Sequence, residues 1–324
     1  MRKILITGAA GFIGSHLTEL CVARGLKVKA FIHYNSTNCW GWLEEIPVKN
    51  RIEVVAGDVR DYDSVYAAMK GCDSVLHLAA LIGIPYSYIS PLAYIRTNME
   101  GTYNVLQAAR ELHLKTVVIT STSETYGTAK YVPINEKHPL VGQSPYSATK
   151  IAADQLAISF YRSFGLPVKI ARPFNTYGPR QSARAIIPTI ISQLLYGKNE
   201  LRLGNLHPTR DLTFVKDTAN GILAVAQQKG LHGEVINIGS GSEEAVGELA
   251  LRIAGLLKKK IRIVKESQRL RPAQSEVERL VCDNTRLKGL TGWQPLVDLN
   301  SGLRATIDFI KEYSHLYKPG IYHV

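Results

Sequence analysis

The reading of residues 3–16, "KILITGAAGFIGSH", decides the fold. Four of its first five residues are aliphatic or β-branched, the composition of a buried strand. Gly8, Gly11 and Gly14 follow in a GxxGxxG spacing that leads into a helix expected to run to about Arg24. Glycine permits a tight turn and close backbone approach, and a helix N-terminus offers unsatisfied N–H groups and partial positive charge. Together these suit the pyrophosphate of a dinucleotide. Glycine spacing alone is weak evidence, but here it stands between a first strand and a first helix.

Working outward, strand-like segments recur at "KVKAFI", "IEVVAG", "SVLHLA", "TVVITS" and "VKIARPFN". Helical patterns fall between most of them, notably over 94–112 and 146–164. Parallel strands need such crossovers, so the alternation predicts an α/β protein with a Rossmann-type doubly wound parallel sheet. Beyond Asn175 the pattern loosens into a helix near 186–195, short strands at "LRL" and "EVINIG", and helices near 246–257 and 301–313. We therefore expect a dinucleotide-binding domain over 1–174, to which the chain returns around 212–240. A smaller C-terminal α/β substrate-binding region follows over 175–324, with the active site between the two.

Composition narrows the class. The chain has 324 residues, 45% of them hydrophobic, enough for a sizeable core. The most apolar uncharged stretch, 78–95, is interrupted by Pro85 and Pro91 and carries several Tyr and Ser, which makes a poor membrane span. The N-terminus enters a strand at once, without the pattern of a signal peptide, so a cytoplasmic protein with no membrane partner is expected. Cys21, Cys39, Cys72 and Cys282 are scattered, with no CxxC spacing, so neither a disulfide framework nor a metal site is expected. The net charge is +12, but the dense basic run "KKKIR" (258–262) has no interleaved aromatics and reads as a solvated face, not a nucleic-acid site.

Two more segments sit where strands end. Asp58, in "GDVRD", is placed to accept from an adenine amino group, and "HLAA" (77–80) brings small residues against a cofactor. Each alone is equally a cap or plain packing; their common position at strand C-terminal ends favours the site. At the end of the second strand, "FIHYNS" puts Ile32, His33, Tyr34 and Asn35 where a carboxylate normally meets the ribose of NAD. No acid excludes a 2′-phosphate there, and His33, Asn35 and Ser36 suit one, so NAD and NADP both stand.

"SPYSATK" spaces Tyr146 and Lys150 four apart on one helical face. A lysine near a phenol stabilises the phenolate and makes a base for neutral pH. The strand ending "VVITSTSETYG" delivers Thr122, Ser123 and Glu124 side by side where the chain surfaces, a place where a plain loop needs no glutamate. The bland alternative is a Ser/Thr-rich strand end with a solvated glutamate.

TGAAGFIG, HLAA, TSTSETYG, YSATK and RPFNTYGPR, in this order, make the chain resemble the extended short-chain dehydrogenase/reductase superfamily (the epimerase/dehydratase branch) over nearly its whole length. Within it, "ALIGIPYSYISP", "YVPINEKHPLVGQSPYSATK" and "RPFNTYGPRQSARAIIPTII" resemble the N-acetylglucosamine 4,6-dehydratases of legionaminic-acid-type pathways. The resemblance implies a tightly bound NAD or NADP, regenerated each turnover. Gly8, Gly11, Phe12, Ile13, Gly14, His33, Asp58, Val59, Leu78, Ala79, Ala80, Asn98, Tyr146 and Lys150 would hold it. It implies that Tyr146 takes the proton of the sugar 4-hydroxyl as C4 is oxidised. Glu124 would remove the now acidic C5 proton as water leaves C6, and the hydride would return to C6. Thr122 would orient the 4-oxygen. Many 4,6-dehydratases carry Thr-Asp-Glu where this chain has Thr-Ser-Glu, which nucleotide-sugar uronate decarboxylases share. Decarboxylation is thus the runner-up and C4 epimerisation third, since it leaves Glu124 idle. A non-catalytic dinucleotide-binding regulator comes last because the Tyr and Lys are both present. For a UDP- or GDP-sugar the resemblance points to Asn175, Arg210 and Arg271, with Arg184 nearby, at the diphosphate. It also implies a homodimer through a four-helix bundle built from the 94–112 and 146–164 helices.

Overall fold

The computed structural model describes residues 1–197 and 200–317. A parallel sheet of seven strands forms its centre: β1 (Lys3–Thr7), β2 (Lys27–His33), β3 (Ile52–Gly57), β4 (Ser74–His77), β5 (Thr116–Thr120), β6 (Val168–Pro173) and the strand Val235–Ile238. In space the order is Val235–Ile238, β6, β5, β4, β1, β2, β3. The chain thus builds outward from β1 to β3, then restarts on the other side of β1 with β4. That reversal opens a crevice above the C-terminal ends of β1 and β4, where open α/β sheets bind their ligands. Val235–Ile238 pairs in register with β6 as the far edge of the sheet.

Helices cover both faces, so the central strands read as nearly continuous apolar runs. Under α1 (Phe12–Ala23) the core joins Leu17, Cys21 and Val22 to Ile4, Ile6 and to Ile222 and Leu223 of the helix Val215–Gln227. Leu5, Val75, Val117 and Ile119 face the opposite way, onto Val105, Leu106, Ala157 and Phe160. A separate core around Ile190, Leu201, Leu249, Ile253 and Ile307 holds the C-terminal part. Two further devices join that part to α1: Arg180 pairs with Glu19 at 2.8 Å, and the His16 ring bonds the Pro179 carbonyl at 3.1 Å.

The helix expected over 94–112 is not regular. A short turn Pro91–Tyr94 passes into a π-helical segment Ile95–Glu100, and only then into the α-helix Gly101–Glu111. The cause is tertiary. The buried Asn98 side chain accepts from Leu81 N–H and donates to the Leu81 carbonyl and to Thr149 Oγ1, at 2.9 to 3.1 Å. Widening the turn brings that amide to the loop after β4, and such widened turns gather at functional sites. The helix Pro145–Phe164 is, by contrast, strongly specified. It has Pro at its start, a reciprocal Ser144/Ser147 capping box, and a stop at Gly165, whose φ of +68° favours glycine.

Two buried histidines give the fold an acid limit. Burial lowers His16 to about 4 and His77 to about 3, the latter also under the Lys150 charge. Both are neutral when folded, so below about pH 6.5 the unfolded chain binds more protons and stability falls as pH falls. Each contributes about 1.4 kcal/mol per pH unit down to its folded pKa. The urea midpoint is expected to drop steadily from pH 6.5 to 4.5, and less steeply in His16→Gln.

Candidate active site

The glycine loop has no room for a Cβ at Gly8 or Gly14, the form of a turn whose backbone approaches a dinucleotide closely. Gly8 adopts φ +68°, and a Cβ there would stand 2.8 Å from Ala79 N. A Cβ on Gly14 would lie 2.1 Å from the Gly8 carbonyl oxygen, inside the turn itself. Gly11 accepts the Ser15 N–H as the cap of α1, leaving the N–H groups of Phe12, Ile13 and Gly14 directed off the helix start. Gly14→Ala is accordingly expected to weaken dinucleotide binding more than tenfold, as checked by calorimetric titration, because the clash is with backbone that cannot yield.

Beside the loop, the Thr7 hydroxyl accepts from Leu78 N–H and Ala79 N–H and bonds the His77 ring at 2.7 Å. This fixes the start of 78–80 against Gly8. Asn98 fixes its continuation at Leu81, and Val59 is buried beneath Gly101, whose added Cβ would sit 3.0 Å from Val59 Cγ2. Asp58 is engaged by Arg60 through Nε at 3.0 Å and lies 3.6 Å from His33 Nε2. The Arg60 bond holds the Asp58 carboxyl below its usual range.

Thr122, Ser123 and Glu124 emerge together at the end of β5. Thr122 caps the short turn Ser123–Tyr126 by accepting the Glu124 N–H at 3.3 Å. Glu124 is buried to 7% exposure, yet its carboxylate, like the Ser123 hydroxyl, bonds nothing among the described residues. Tyr146 lies next to both neighbours of Ser123. Burial, first of all, pushes its phenol up from the ordinary value, the Thr122 hydroxyl pulls it back, and the Glu124 charge pushes it further up. The Tyr94 ring meets the Tyr146 ring edge-on, 6.2 Å between centroids. The sequence expectation that Lys150 depresses Tyr146 is therefore not the net result here. Lys150 Nζ donates to the Thr120 carbonyl at 2.6 Å, and burial lowers its own pKa.

Behind Lys150, one further helical turn on, stands Asp154, which sequence reading passed over. It pairs with Arg172 at 2.7 Å and takes the Ser121 hydroxyl, and both charged side chains are almost wholly inaccessible. Arg172 also lies over the Tyr126 ring, 4.6 Å from its centroid. Asp154→Asn leaves an unmatched buried guanidinium, so a loss of about 3–5 kcal/mol in unfolding free energy is expected by denaturant titration.

On the substrate side, Arg210 and Arg271 converge on one carboxylate. Glu276 Oε1 lies 3.5 Å from Arg210 and 3.4 Å from Arg271. Glu124 and Arg210 are close enough for their charges to act on one another. The Asn175 Oδ1 is buried with no hydrogen-bond partner among the described residues, an acceptor left open. Arg184 is exposed, and its charge reaches the buried Tyr94 phenol from outside. Tyr88 bonds Ser275 at 2.6 Å, tying the segment after β4 to the stretch that carries Arg271 and Glu276. Tyr94, Asp154 and Glu276 had no sequence signal: their roles depend on Tyr146, Arg172 and Arg210, which the fold brings to them.

Comparison with known proteins agrees with this geometry. Residues 5–306 match the family model described as GDP-mannose 4,6 dehydratase. The chain is 33% identical over 324 residues to a dTDP-glucose 4,6-dehydratase of Streptomyces griseus, covering 98% of this chain and 96% of that one. It is equally 33% identical, over 321 residues, to the UDP-N-acetyl-alpha-D-glucosaminuronate decarboxylase of Bacillus cytotoxicus, covering 96% and 98%. Among solved structures, UDP-glucuronic acid 4-epimerase from Bacillus cereus, in complex with UDP-glucuronic acid and NAD, superposes with a TM-score of 0.87 at 28% identity, covering 96% of this chain and 99% of that one. The crevice at the sheet reversal, the glycine loop and the Tyr146–Lys150 helix belong to one architecture, and the chain is a member of the GDP-mannose 4,6 dehydratase family, within the extended short-chain dehydrogenase/reductase enzymes that use NAD-type cofactors.

Proposed function

We propose that the chain is a nucleotide-sugar 4,6-dehydratase acting on a UDP- or GDP-N-acetylglucosamine-type substrate. Glu124 carries the reading. It is a nearly buried carboxylate, without a hydrogen bond among the described residues, whose charge acts on both the phenol of Tyr146 and the guanidinium of Arg210. Oxidation and reduction at C4 need only one base, which Tyr146 supplies. A second base over the ring is required when a proton must also leave C5. An unpartnered carboxylate buried at some energetic cost is the expected form of such a base.

In this reading Gly8, Gly11, Phe12, Ile13 and Gly14 cradle the pyrophosphate of a dinucleotide, with His33, Asp58, Val59, Leu78, Ala79, Ala80 and Asn98 around its remainder. Bound there, a nicotinamide dinucleotide would supply the reversible hydride exchange that oxidation at C4 and reduction at C6 require. Tyr146 removes the 4-hydroxyl proton, and Thr122 donates to the developing 4-oxyanion. Lys150, anchored on Thr120, sets positive charge beneath the phenol. Glu124 removes the C5 proton and delivers a proton to the departing 6-hydroxyl, with Ser123 positioning that hydroxyl. Asn175, Arg210 and Arg271 hold the diphosphate, and Arg184 stands at the mouth. Residues 1–174, with the return at 212–240, serve the dinucleotide, and 175–324 serve the sugar nucleotide.

Ser123 favours a second reading, uronate decarboxylation after the same C4 oxidation, since it takes the place of the aspartate many dehydratases carry. Mass spectrometry of purified protein incubated with UDP-GlcNAc, GDP-GlcNAc and UDP-glucuronate, without added reductant, tests both. Loss of one water from an N-acetylglucosamine nucleotide is expected. Loss of CO2 from the uronate replaces the proposal with the decarboxylase, and a chromatographically distinct isomer of unchanged mass replaces it with an epimerase.

We also propose a homodimer. Ile95, Tyr103 and Phe164, on the helical segments of the expected four-helix bundle, are 45–50% exposed in the single chain. Sedimentation velocity is the check. The four cysteines are free, and no described helix is long and apolar enough to cross a membrane, which together suit the reducing cytoplasm.

A further inference from the structure

The C-terminal end of β2 is built for an anion. In dinucleotide folds a carboxylate here accepts from the adenosine ribose hydroxyls, whereas a nearby arginine accommodates a 2′-phosphate. In this chain the last residue of β2 is His33, with its imidazole largely in solvent. The register sets His33 against Gly57 of β3, so the residue that follows, Asp58, comes alongside. Asp58 does not restore the missing acid. Both of its oxygens lie 3.0 Å from Arg60 Nε, and the Arg60 N–H bonds Oδ1 at 2.9 Å. The carboxylate is thereby matched by a guanidinium held at the same edge.

The turn after β2 adds donors. Asn35 is used up in shaping it: Oδ1 accepts from Cys39 N–H and from the Thr37 hydroxyl, and Nδ2 donates to the Cys39 carbonyl at 2.8 Å. The sequence expectation that Asn35 is free for a ligand is thus not met. In exchange, the N–H groups of Ser36 and Thr37 have no acceptor among the described residues, and the Ser36 side chain is exposed. Consecutive free N–H groups in a turn form an anion-binding concavity. The same segment is fastened to the glycine loop, since Trp42 N–H bonds the Ala10 carbonyl at 3.2 Å and Gly41 approaches Ala10 closely. The turn after β2 is thereby tied to the glycine loop through Gly41 and Trp42.

We propose that His33, the Ser36–Thr37 turn and Arg60 form a subsite for the 2′-phosphate of the adenosine ribose, so that the dinucleotide resident in this enzyme is NADP. A phosphate monoester brings about −1.5 to −2 charge to a place where the fixed charges of Asp58 and Arg60 already cancel and the remaining groups donate. The inference rests on the dinucleotide site and not on the sugar chemistry, so its failure leaves the dehydratase reading standing.

Two measurements that need no turnover test it. Nucleotide released by denaturing the purified protein is identified by mass spectrometry, and NADP or NADPH is expected. Calorimetric titration of nucleotide-free protein is expected to show NADP+ binding at least tenfold tighter than NAD+, and adenosine 2′,5′-bisphosphate tighter than AMP. His33→Asp, on an exposed side chain, is expected to bring the NADP+/NAD+ preference to one or below. Arg60→Ala is expected to weaken adenosine 2′,5′-bisphosphate while leaving AMP within about twofold. Release of NAD, equal affinities for the two dinucleotides, or a preference unchanged in both variants overturns the proposal.

Discussion

Replacing Tyr146 by Phe is expected to lower turnover by about 10²–10⁴-fold while nucleotide-sugar affinity changes by less than about threefold. The substitution removes one oxygen and keeps the ring, which is packed edge-on by Tyr94 and buried with Ile84, so the fold should persist. What is lost is the phenol beside Thr122 and Glu124, the group proposed as proton acceptor for the 4-hydroxyl. The same geometry sets the pH dependence. Burial raises the phenol above its ordinary value, and the neighbouring Glu124 charge raises it further, so a base of this kind is mostly protonated at neutral pH. The kcat/KM of the wild type should therefore climb on going to alkaline pH, and the residual rate of Tyr146→Phe should lack that climb. Full activity in the variant would remove Tyr146 from the chemistry altogether.

Glu124→Gln is expected to separate the two halves of the cycle. Glutamine keeps the shape but accepts no proton, so elimination should slow by about 10²–10⁴-fold while C4 oxidation survives. A single turnover should then leave reduced nicotinamide and a 4-keto hexose on the enzyme, visible as a persistent near-ultraviolet absorbance. In deuterated water the wild type should place solvent deuterium in its product, and the variant should stop exchanging the C5 proton. If Glu124→Gln dehydrates its substrate at the normal rate, the carboxylate is not the C5 base, and the reading built on it falls. Decarboxylation ends with a solvent proton added at C5 in place of the lost carboxylate, so deuterium uptake is common to both candidate activities, and loss of water against loss of CO2 separates them.

The parts of this molecule that were legible in the sequence are the local ones. Strand patterns and crossover helices gave a parallel sheet, and the glycine loop located its reversal, because hydrophobic period and backbone freedom act over a few residues. Pro145, Ser144 and Ser147 announce their helix in the same way. The π-helical stretch Ile95–Glu100 was not legible, since it is set by Asn98 bonding Leu81 and Thr149, one of them 51 positions away. The Asp154–Arg172 pair, closed over 18 residues between a helix and a strand, has no local pattern to mark it. The influence of Lys150 on Tyr146 was read from spacing alone. Spacing reports neighbourhood, whereas the net direction depends on burial, which only the assembled fold supplies.

Glu276 has a consequence for how ligands are chosen. Arg210 and Arg271, the side chains assigned to the diphosphate, already share its carboxylate. Binding is then a displacement: an incoming anion must evict a tethered internal rival whose effective concentration is fixed by the backbone. A monovalent anion offers the arginines little more than Glu276 does, whereas a diphosphate offers more charge and more acceptor oxygens to both at once. A protein with a net charge of +12 attracts anions of many kinds. On the proposed assignment, the resident carboxylate would make that attraction discriminating, favouring polyphosphates over single charges.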